Sequence, residues 1–236
     1  MTVEGVYTLR PIARLRCDLP TKFGVPRQSG LVKGLEGEII FEPPYRDRNA
    51  LRGIEEYTHL WLIWQFSQVV REGKDGENWS PTVRPPRLGG NTRVGVFATR
   101  SPYRPNALGL SCVSLLGLRE DEVLGTVLRV GGADLLDGTP IYDIKPYLPY
   151  VESHPEAFGS FSDTAAGYSL EVVIPPELEA LIPPEKREAL MGILSGDPRP
   201  AYHDDPEREY GFPFAGCEVS FKVKGKVLTI TDIKRL

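Results

Sequence analysis

Histidine, cysteine and methionine are scarce, at three, three and two residues in a chain of 236. Cys17, Cys112 and Cys217 are far apart and odd in number, so they form neither a disulfide framework nor a metal-ligand spacing. His59, His154 and His203 are too scattered for a metal cluster, and no metal is expected. His59 precedes an apolar run and reads as a structural residue at a strand start. Familiar catalytic signatures are missing as well. There is no strand followed by G-x-G-x-x-G, no G-x-x-x-x-G-K-S/T and no G-x-S-x-G, which leaves a doubly wound cofactor site, a P-loop and a nucleophile elbow unsupported. The longest apolar stretch, about residues 60–66, is far too short to cross a bilayer, so no membrane partner is expected. Residues 1–11 lack a basic segment followed by an apolar run, so no signal peptide is expected and a reducing cytoplasm fits.

Acidic residues are missing from one long stretch. Residues 80–119 hold no Asp or Glu, yet contain Arg84, Arg87, Arg93, Arg100, Arg104 and Arg119 and no Lys. That stretch carries +6 in a chain of net charge −4, leaving −10 for the remainder. Apolar strands are acid-poor in any protein, but here the polar loop residues are also only basic or neutral. The arginine fork holds carboxylates and phosphates in pairs of hydrogen bonds and stacks on rings. A local basic face on an acidic protein points to an anionic partner.

Apolar residues make up 41% of the chain, enough for a core. Strand-like segments are short and frequent, near residues 7–16, 38–41, 60–66, 93–99, 111–118, 123–130 and 141–147. They are rich in Val, Ile, Leu and Tyr and bounded by Gly, Pro, Asn or Asp. Helical periodicity is nearly absent before residue 175, apart from a short turn at 49–56. The pattern predicts a mainly β fold, an antiparallel barrel or sandwich, over residues 1–155. Residues 153–167 read as a linker or loop. A helix then starts at Pro183-Pro184 and runs through Leu194, with Leu190, Ile193 and Leu194 as its buried stripe. Two strands, 218–223 and 227–233, are joined by Lys224-Gly225-Lys226, a hairpin signal. Residues 156–236 therefore read as a small α+β C-terminal appendage.

Four loops are unusual in composition. They are Val25-Pro26-Arg27-Gln28-Ser29-Gly30, Arg84-Pro85-Pro86-Arg87-Leu88-Gly89-Gly90-Asn91, Phe97-Ala98-Thr99-Arg100-Ser101-Pro102-Tyr103-Arg104-Pro105-Asn106, and Ala133-Asp134-Leu135-Leu136-Asp137-Gly138-Thr139-Pro140. Each combines a stiff proline with forked or charged donors, or a turn pair such as Asp137-Gly138. Any one of them alone reads as a surface turn. Four in one chain exceed what joining strands requires.

These loops, with Gly53-Ile54-Glu55-Glu56-Tyr57-Thr58-His59-Leu60-Trp61, the run from Leu136 to Tyr147 and Asp197-Pro198-Arg199-Pro200-Ala201-Tyr202, resemble the signature of the TsaA/YaeB (TrmO) family over nearly the whole chain. The resemblance implies an antiparallel β-barrel that binds S-adenosylmethionine outside the Rossmann scheme. It also implies a homodimer with the cofactor near the subunit boundary. The implied activity is methylation of N6 of N6-threonylcarbamoyladenosine at position 37, in the anticodon arm of a threonine tRNA. By motif match the cofactor contacts fall on Pro26, Arg27, Gln28, Ser67, Gln68, Arg100, Leu110, Ala133, Asp134, Leu135 and Leu136. Many relatives carry His-Gln where this chain has Ser67-Gln68.

Methyl transfer from a sulfonium needs an in-line nucleophile, and a ureido-type N6 is a poor one. A carboxylate that orients the N6 proton or removes it would help. Asp134, Asp137 and Asp143 are the catalytic candidates, although an Asp near the sulfonium would also serve as a cofactor contact. Arg84, Arg87, Arg104, Lys145 and Tyr147 are expected to hold the RNA. The alternatives are a non-enzymatic module that binds S-adenosylmethionine or a nucleotide, and a plain RNA-binding barrel.

Overall fold

A computed structural model of the chain describes residues 8–68, 79–85, 88–89, 91–165, 167–199 and 205–236. Its elements, numbered in chain order, are β1 (Ala13–Cys17), β2 (Glu36–Phe41), β3 (His59–Gln65), β4 (Thr82–Val83), β5 (Val94–Gly95), β6 (Leu108–Asp121), β7 (Gly125–Gly131), β8 (Pro140–Pro146), α1 (Pro149–Glu152), β9 (Glu171–Val173), α2 (Pro176–Glu179), α3 (Pro184–Ser195), β10 (Tyr210–Phe214), β11 (Cys217–Lys224) and β12 (Val227–Arg235).

Period-two alternation builds the first body. β1 buries Ala13 and Leu15 and turns Arg14 and Arg16 out, and β3 buries Leu60, Leu62 and Trp64. Side chains on successive strand residues leave opposite faces, so these patterns curl one apolar face inward. The strand order is β1-β2-β7-β6-β3-β8, every pair antiparallel, and β8 returns to β1 through Ala13↔Ile141 and Arg14↔Pro140. A sheet that meets itself leaves no long unpaired edge. β6 serves two neighbours in succession, pairing with β3 from Leu108 to Ser114 and with β7 from Ser114 to Asp121. The register shifts between Leu115 and Gly117, where Gly117 takes φ +139, a bulge that bends the strand. Leu15, Ile39, Leu60, Leu62, Val113, Leu128, Val130 and Ile141 fill the interior. Each such side chain contributes about 1.5–3 kcal/mol on full burial.

The second body is the sheet β10-β11-β12-β9 covered by α3. The expected hairpin is present as β11 and β12, with Gly225 at φ +61 in its turn. The expected helix is α3, burying Leu190, Ile193 and Leu194. Two strands of this sheet escaped the sequence reading, as did β4 outside it. β10 contains Gly211 and Pro213, which weaken the strand signal, and Pro is tolerated because β10 is an edge strand. β9 has three residues and pairs parallel to β12. A further difference is the expected strand at 93–99. Only β5 is extended there, paired with β4. Residues 96–98 form a 3-10 turn that Thr99 closes by donating its N–H and its hydroxyl to the Val96 carbonyl.

The second core is not built from C-terminal residues alone. Leu19, Val32 and Leu35, from the connection between β1 and β2, are buried in it. Phe23 from the same connection lies 6.5 Å from the Tyr210 ring and 6.4 Å from Phe221, both near-parallel. Among the described residues, no helix is long and apolar enough to cross a membrane.

Candidate functional site

The site begins where the end of β3 meets the start of β6. Trp64 and Gly109 sit opposite each other in that ladder. A Cβ at position 109 would stand 2.3 Å from the Trp64 ring, so only glycine lets the indole lie across the β6 backbone. Trp64 also packs on Phe66, with ring centroids 4.3 Å apart. The indole N–H donates to Ser111 Oγ at 2.9 Å, and the Ser111 hydroxyl donates to Asp134 Oδ1 at 2.5 Å. Ser111 is 1% exposed, so this relay runs inside the protein.

Asp134 follows β7, in the turn that Gly132 opens with φ +74. There two chain segments touch: Gly30 N–H donates to the Gly132 carbonyl at 2.8 Å, and a Cβ on Gly132 would meet Gly30 at 3.1 Å. Glycine at both positions brings residues 25–30 against the Asp134 turn. Burial pushes the Asp134 carboxyl above the usual carboxylate range. Hydrogen bonds from Ser111 and from the Ser29 backbone, and the nearby Arg100 charge, partly offset that.

These pieces enclose a cavity of about 430 Å³ lined by Val25, Pro26, Arg27, Gln28, Trp64, Phe66, Thr99, Arg100, Arg104, Leu108, Gly109, Leu110 and Asp134. Arg100 donates to Gln28 Oε1, joining the residue 99–104 loop to the residue 25–28 loop. Arg104 donates to the Thr99 carbonyl at 3.0 Å. Arg27 reaches the Asp197 carbonyl at 3.4 Å, a link to the C-terminal body. Asp197 is itself held: Arg199 spans its two carboxylate oxygens at 2.9 Å each, and the Tyr168 hydroxyl donates at 3.0 Å. Burial alone would raise the Asp197 carboxyl, but these hydrogen bonds bring it below the usual range.

Six of the sequence-predicted cofactor residues line the cavity together: Pro26, Arg27, Gln28, Arg100, Leu110 and Asp134. Ala133 and Leu135 stand beside it in sequence but bury their side chains in the core of the strand ring, and Leu136 is outside the lining. Ser67 and Gln68 are exposed outside it, where the Gln68 carbonyl accepts from Lys22 Nζ at 2.9 Å. Of the three catalytic candidates only Asp134 is in the cavity. Asp137 instead accepts the Cys17 N–H at 2.9 Å and fastens its turn to β1. Asp143 pairs with Lys145 at 3.0 Å on β8. Tyr147 packs near His59 and Trp61, so it and Lys145 lie outside the cavity lining. Arg84 is exposed just beyond β4, and Arg87 lies outside the described residues. Arg104, expected on an RNA face apart from the cofactor, lines the cavity with Arg100. The apolar wall of Trp64, Phe66, Leu108 and Gly109 was not foreseen. Its available signal was a Trp set against a Gly across two strands, which needs the register to be read.

A cavity with three arginines and a glutamine, one partly buried carboxylate and an aromatic–aliphatic wall suits a ligand that carries an anion, a cation and a flat ring. Residues 14–153 match the family model described as the tRNA-methyltransferase O N-terminal domain, and residues 168–236 match the TrmO C-terminal domain. The chain belongs to the tRNA-methyltransferase O family. It is similar to the tRNA (adenine(37)-N6)-methyltransferase of Escherichia coli K12, at 44% identity over 94% of this chain and 93% of that protein. It is also similar to the protein of that description from Eikenella corrodens, at 49% identity over 73% of this chain and 94% of that one. A crystal structure of TrmO from Pseudomonas aeruginosa superposes with a TM-score of 0.74 at 28% identity, covering 97% of this chain and 99% of that one.

Proposed function

We propose that this member of the tRNA-methyltransferase O family is an S-adenosylmethionine-dependent methyltransferase acting on adenosine 37 of tRNA. Its substrate is N6-threonylcarbamoyladenosine in the anticodon arm of a threonine tRNA, and the methyl group goes to N6. The observation that carries the reading is the cavity itself. Three polar loops separated by up to about a hundred residues converge on one space with the donor set this cofactor requires.

S-adenosylmethionine, when bound, supplies an electrophilic methyl group on a sulfonium. The chain's own residues do the rest. Arg27 and Arg100 face the cavity as carboxylate holders, with Gln28 fixing Arg100. Trp64, Phe66, Leu108 and Leu110 give an apolar wall for a purine ring and exclude water. Asp134 is the lone carboxylate of the lining, and it serves by facing a cation or by taking the proton from N6. Both roles need it ionised, and Ser111 keeps its carboxylate in one orientation. Arg84, Arg87 and Arg104 of the acid-free stretch serve RNA phosphates. The division into a barrel-type domain at 1–155 and an α+β domain at 156–236, a homodimer and a cytoplasmic location complete the reading.

Mass spectrometry of tRNA nucleosides from a strain lacking the protein tests it. The methylated threonylcarbamoyladenosine disappears, and returns on complementation with the wild-type chain but not with Asp134→Asn. Unchanged nucleosides in the deletion strain, together with tight S-adenosylmethionine binding, would make the chain a non-enzymatic binding module. Light scattering at twice the 26.2 kDa chain mass checks the dimer.

A further inference from the structure

We infer that Trp79, Phe97 and Tyr103 form a stacking platform for unpaired RNA bases beside the cavity. The inference rests on the reading of the chain as a tRNA methyltransferase and names residues that hold the substrate's loop.

The three aromatic side chains are exposed and lie close together or on one braced loop. Phe97 is 71% exposed, Tyr103 63% and Trp79 41%. A large aromatic ring left in water forgoes the burial that stabilises the rest of the fold, so several near one site mark a contact surface. Their placement is fixed. The β4–β5 ribbon pairs Thr82 with Gly95 and Val83 with Val94, and the Val96 N–H donates to the Pro81 carbonyl at 2.9 Å. That brings the Trp79 and Phe97 rings to 5.9 Å with a 34° tilt. Val96, 1% exposed, anchors the turn while Phe97 next to it points out. The loop then braces itself: Thr99 Oγ1 accepts the Ser101 N–H at 3.2 Å, and Ser101 Oγ accepts the Tyr103 N–H at 3.3 Å. Thr99, Arg100 and Arg104 of this braced segment line the cavity. Phe97 and Tyr103 therefore alternate in sequence with cavity residues on one hydrogen-bonded loop.

The charge around the rings decides the partner. Phe97 and Tyr103 belong to residues 80–119, which hold six arginines and no acid, and Trp79 directly precedes that stretch. RNA supplies phosphates for the arginines and flat bases for the rings, and base–aromatic stacking is tolerant of sequence. An enzyme that modifies a base must also draw it out of its neighbours' stack, and the neighbours then need a new surface.

The test uses the full-length protein and an anticodon stem-loop RNA with 2-aminopurine next to the target adenosine. Binding to the wild type changes the fluorescence. Phe97→Ala and Tyr103→Ala each weaken the RNA by about five-fold or more, with S-adenosylmethionine affinity and melting temperature at wild-type values. The slope of log K against log salt also stays at the wild-type value, because stacking releases no counterions. Phe97→Trp keeps the affinity and Phe97→Leu loses it, which separates stacking from apolar cover. Wild-type RNA affinity in both alanine variants overturns the platform while leaving the enzymatic reading intact. A fall in particle mass by light scattering for Phe97→Ala also overturns it and assigns the rings to self-association. A wild-type protein that neither binds nor methylates the stem-loop removes the enzymatic reading, and the platform falls with it.

Discussion

Asp134 was one of three carboxylates that the sequence offered, and the structure separates them by surroundings. Asp137 spends its carboxylate on the Cys17 N–H and Asp143 pairs with Lys145, while Asp134 alone faces the cavity. No sequence pattern distinguishes a turn aspartate from a cavity aspartate; the burial and the Ser111 hydroxyl do. Because burial raises the Asp134 carboxyl, its ionised form is lost on acidification earlier than an exposed aspartate would lose it. The kcat/KM for methyl transfer should therefore fall on the acid side, with a midpoint above the ordinary aspartate range of about 3.9. Asp134→Asn should be slow at every pH and lack that limb. The Ser111 hydrogen bond favours the ionised form, so Ser111→Ala moves the limb to higher pH. It also leaves the Trp64 indole N–H without its acceptor, a loss of about 1–3 kcal/mol for a buried polar group. A pH–rate profile beside a denaturation curve checks both. An acid limb in Ser111→Ala at the wild-type position would detach the serine from Asp134.

At the scale of the element, the long strand β6 does the shaping. Its first half carries Gly109 under Trp64, and its bulge at Gly117 turns the second half onto β7. Gly109→Ala places a methyl group against the Trp64 ring. Overpacking of this kind costs about 1–3 kcal/mol, and here the ring must move toward the cavity. The expected outcome is a lowered melting temperature together with weaker S-adenosylmethionine binding in calorimetry. Wild-type affinity in a destabilised Gly109→Ala protein would show that Trp64 does not shape the ligand wall. The strands of the ring were legible because they are rich in Val, Ile, Leu and Tyr and end at Gly, Pro, Asn or Asp, and in β3 the alternation is strict: Leu60, Leu62 and Trp64 on one face, Trp61 and Ile63 on the other. The expected strand at 93–99 failed because its Val and Phe imitate a strand, while a threonine hydroxyl folds residues 96–98 into a turn. β9 and β10 were hidden by brevity and by an edge proline. The loops of the site were legible as compositions, but their meeting point was not, since it depends on Gly30 crossing Gly132 some hundred residues away.

For the whole molecule, the two bodies share one connection. The segment from β1 to β2 sends Leu19, Val32 and Leu35 into the C-terminal core and lays Val25, Pro26, Arg27 and Gln28 along the cavity. Phe23 is the fastening, set among Tyr210, Phe212 and Phe221. Gly24 beside it takes φ +95, and a Cβ there would also strike the Phe212 ring at 2.5 Å, so both the backbone and the packing require glycine. Phe23→Ala touches no cavity residue directly except through the chain. It should nevertheless weaken S-adenosylmethionine binding as the Arg27–Gln28 wall loosens. Calorimetry under conditions where the variant remains folded by circular dichroism is the check, and unaltered affinity would make the C-terminal body a bystander to the site.

That fastening also sets an order of events during synthesis. Strands β1 to β8 carry every pairing needed to close the ring, so the ring has its full set of partners once residue 146 has been made. The aromatic socket for Phe23 does not exist until residues 210–221 have followed. Because domains fold as units during translation, the ring of a nascent chain should have its partners while the segment that carries Arg27 and Gln28 still lacks the aromatic packing that holds Phe23.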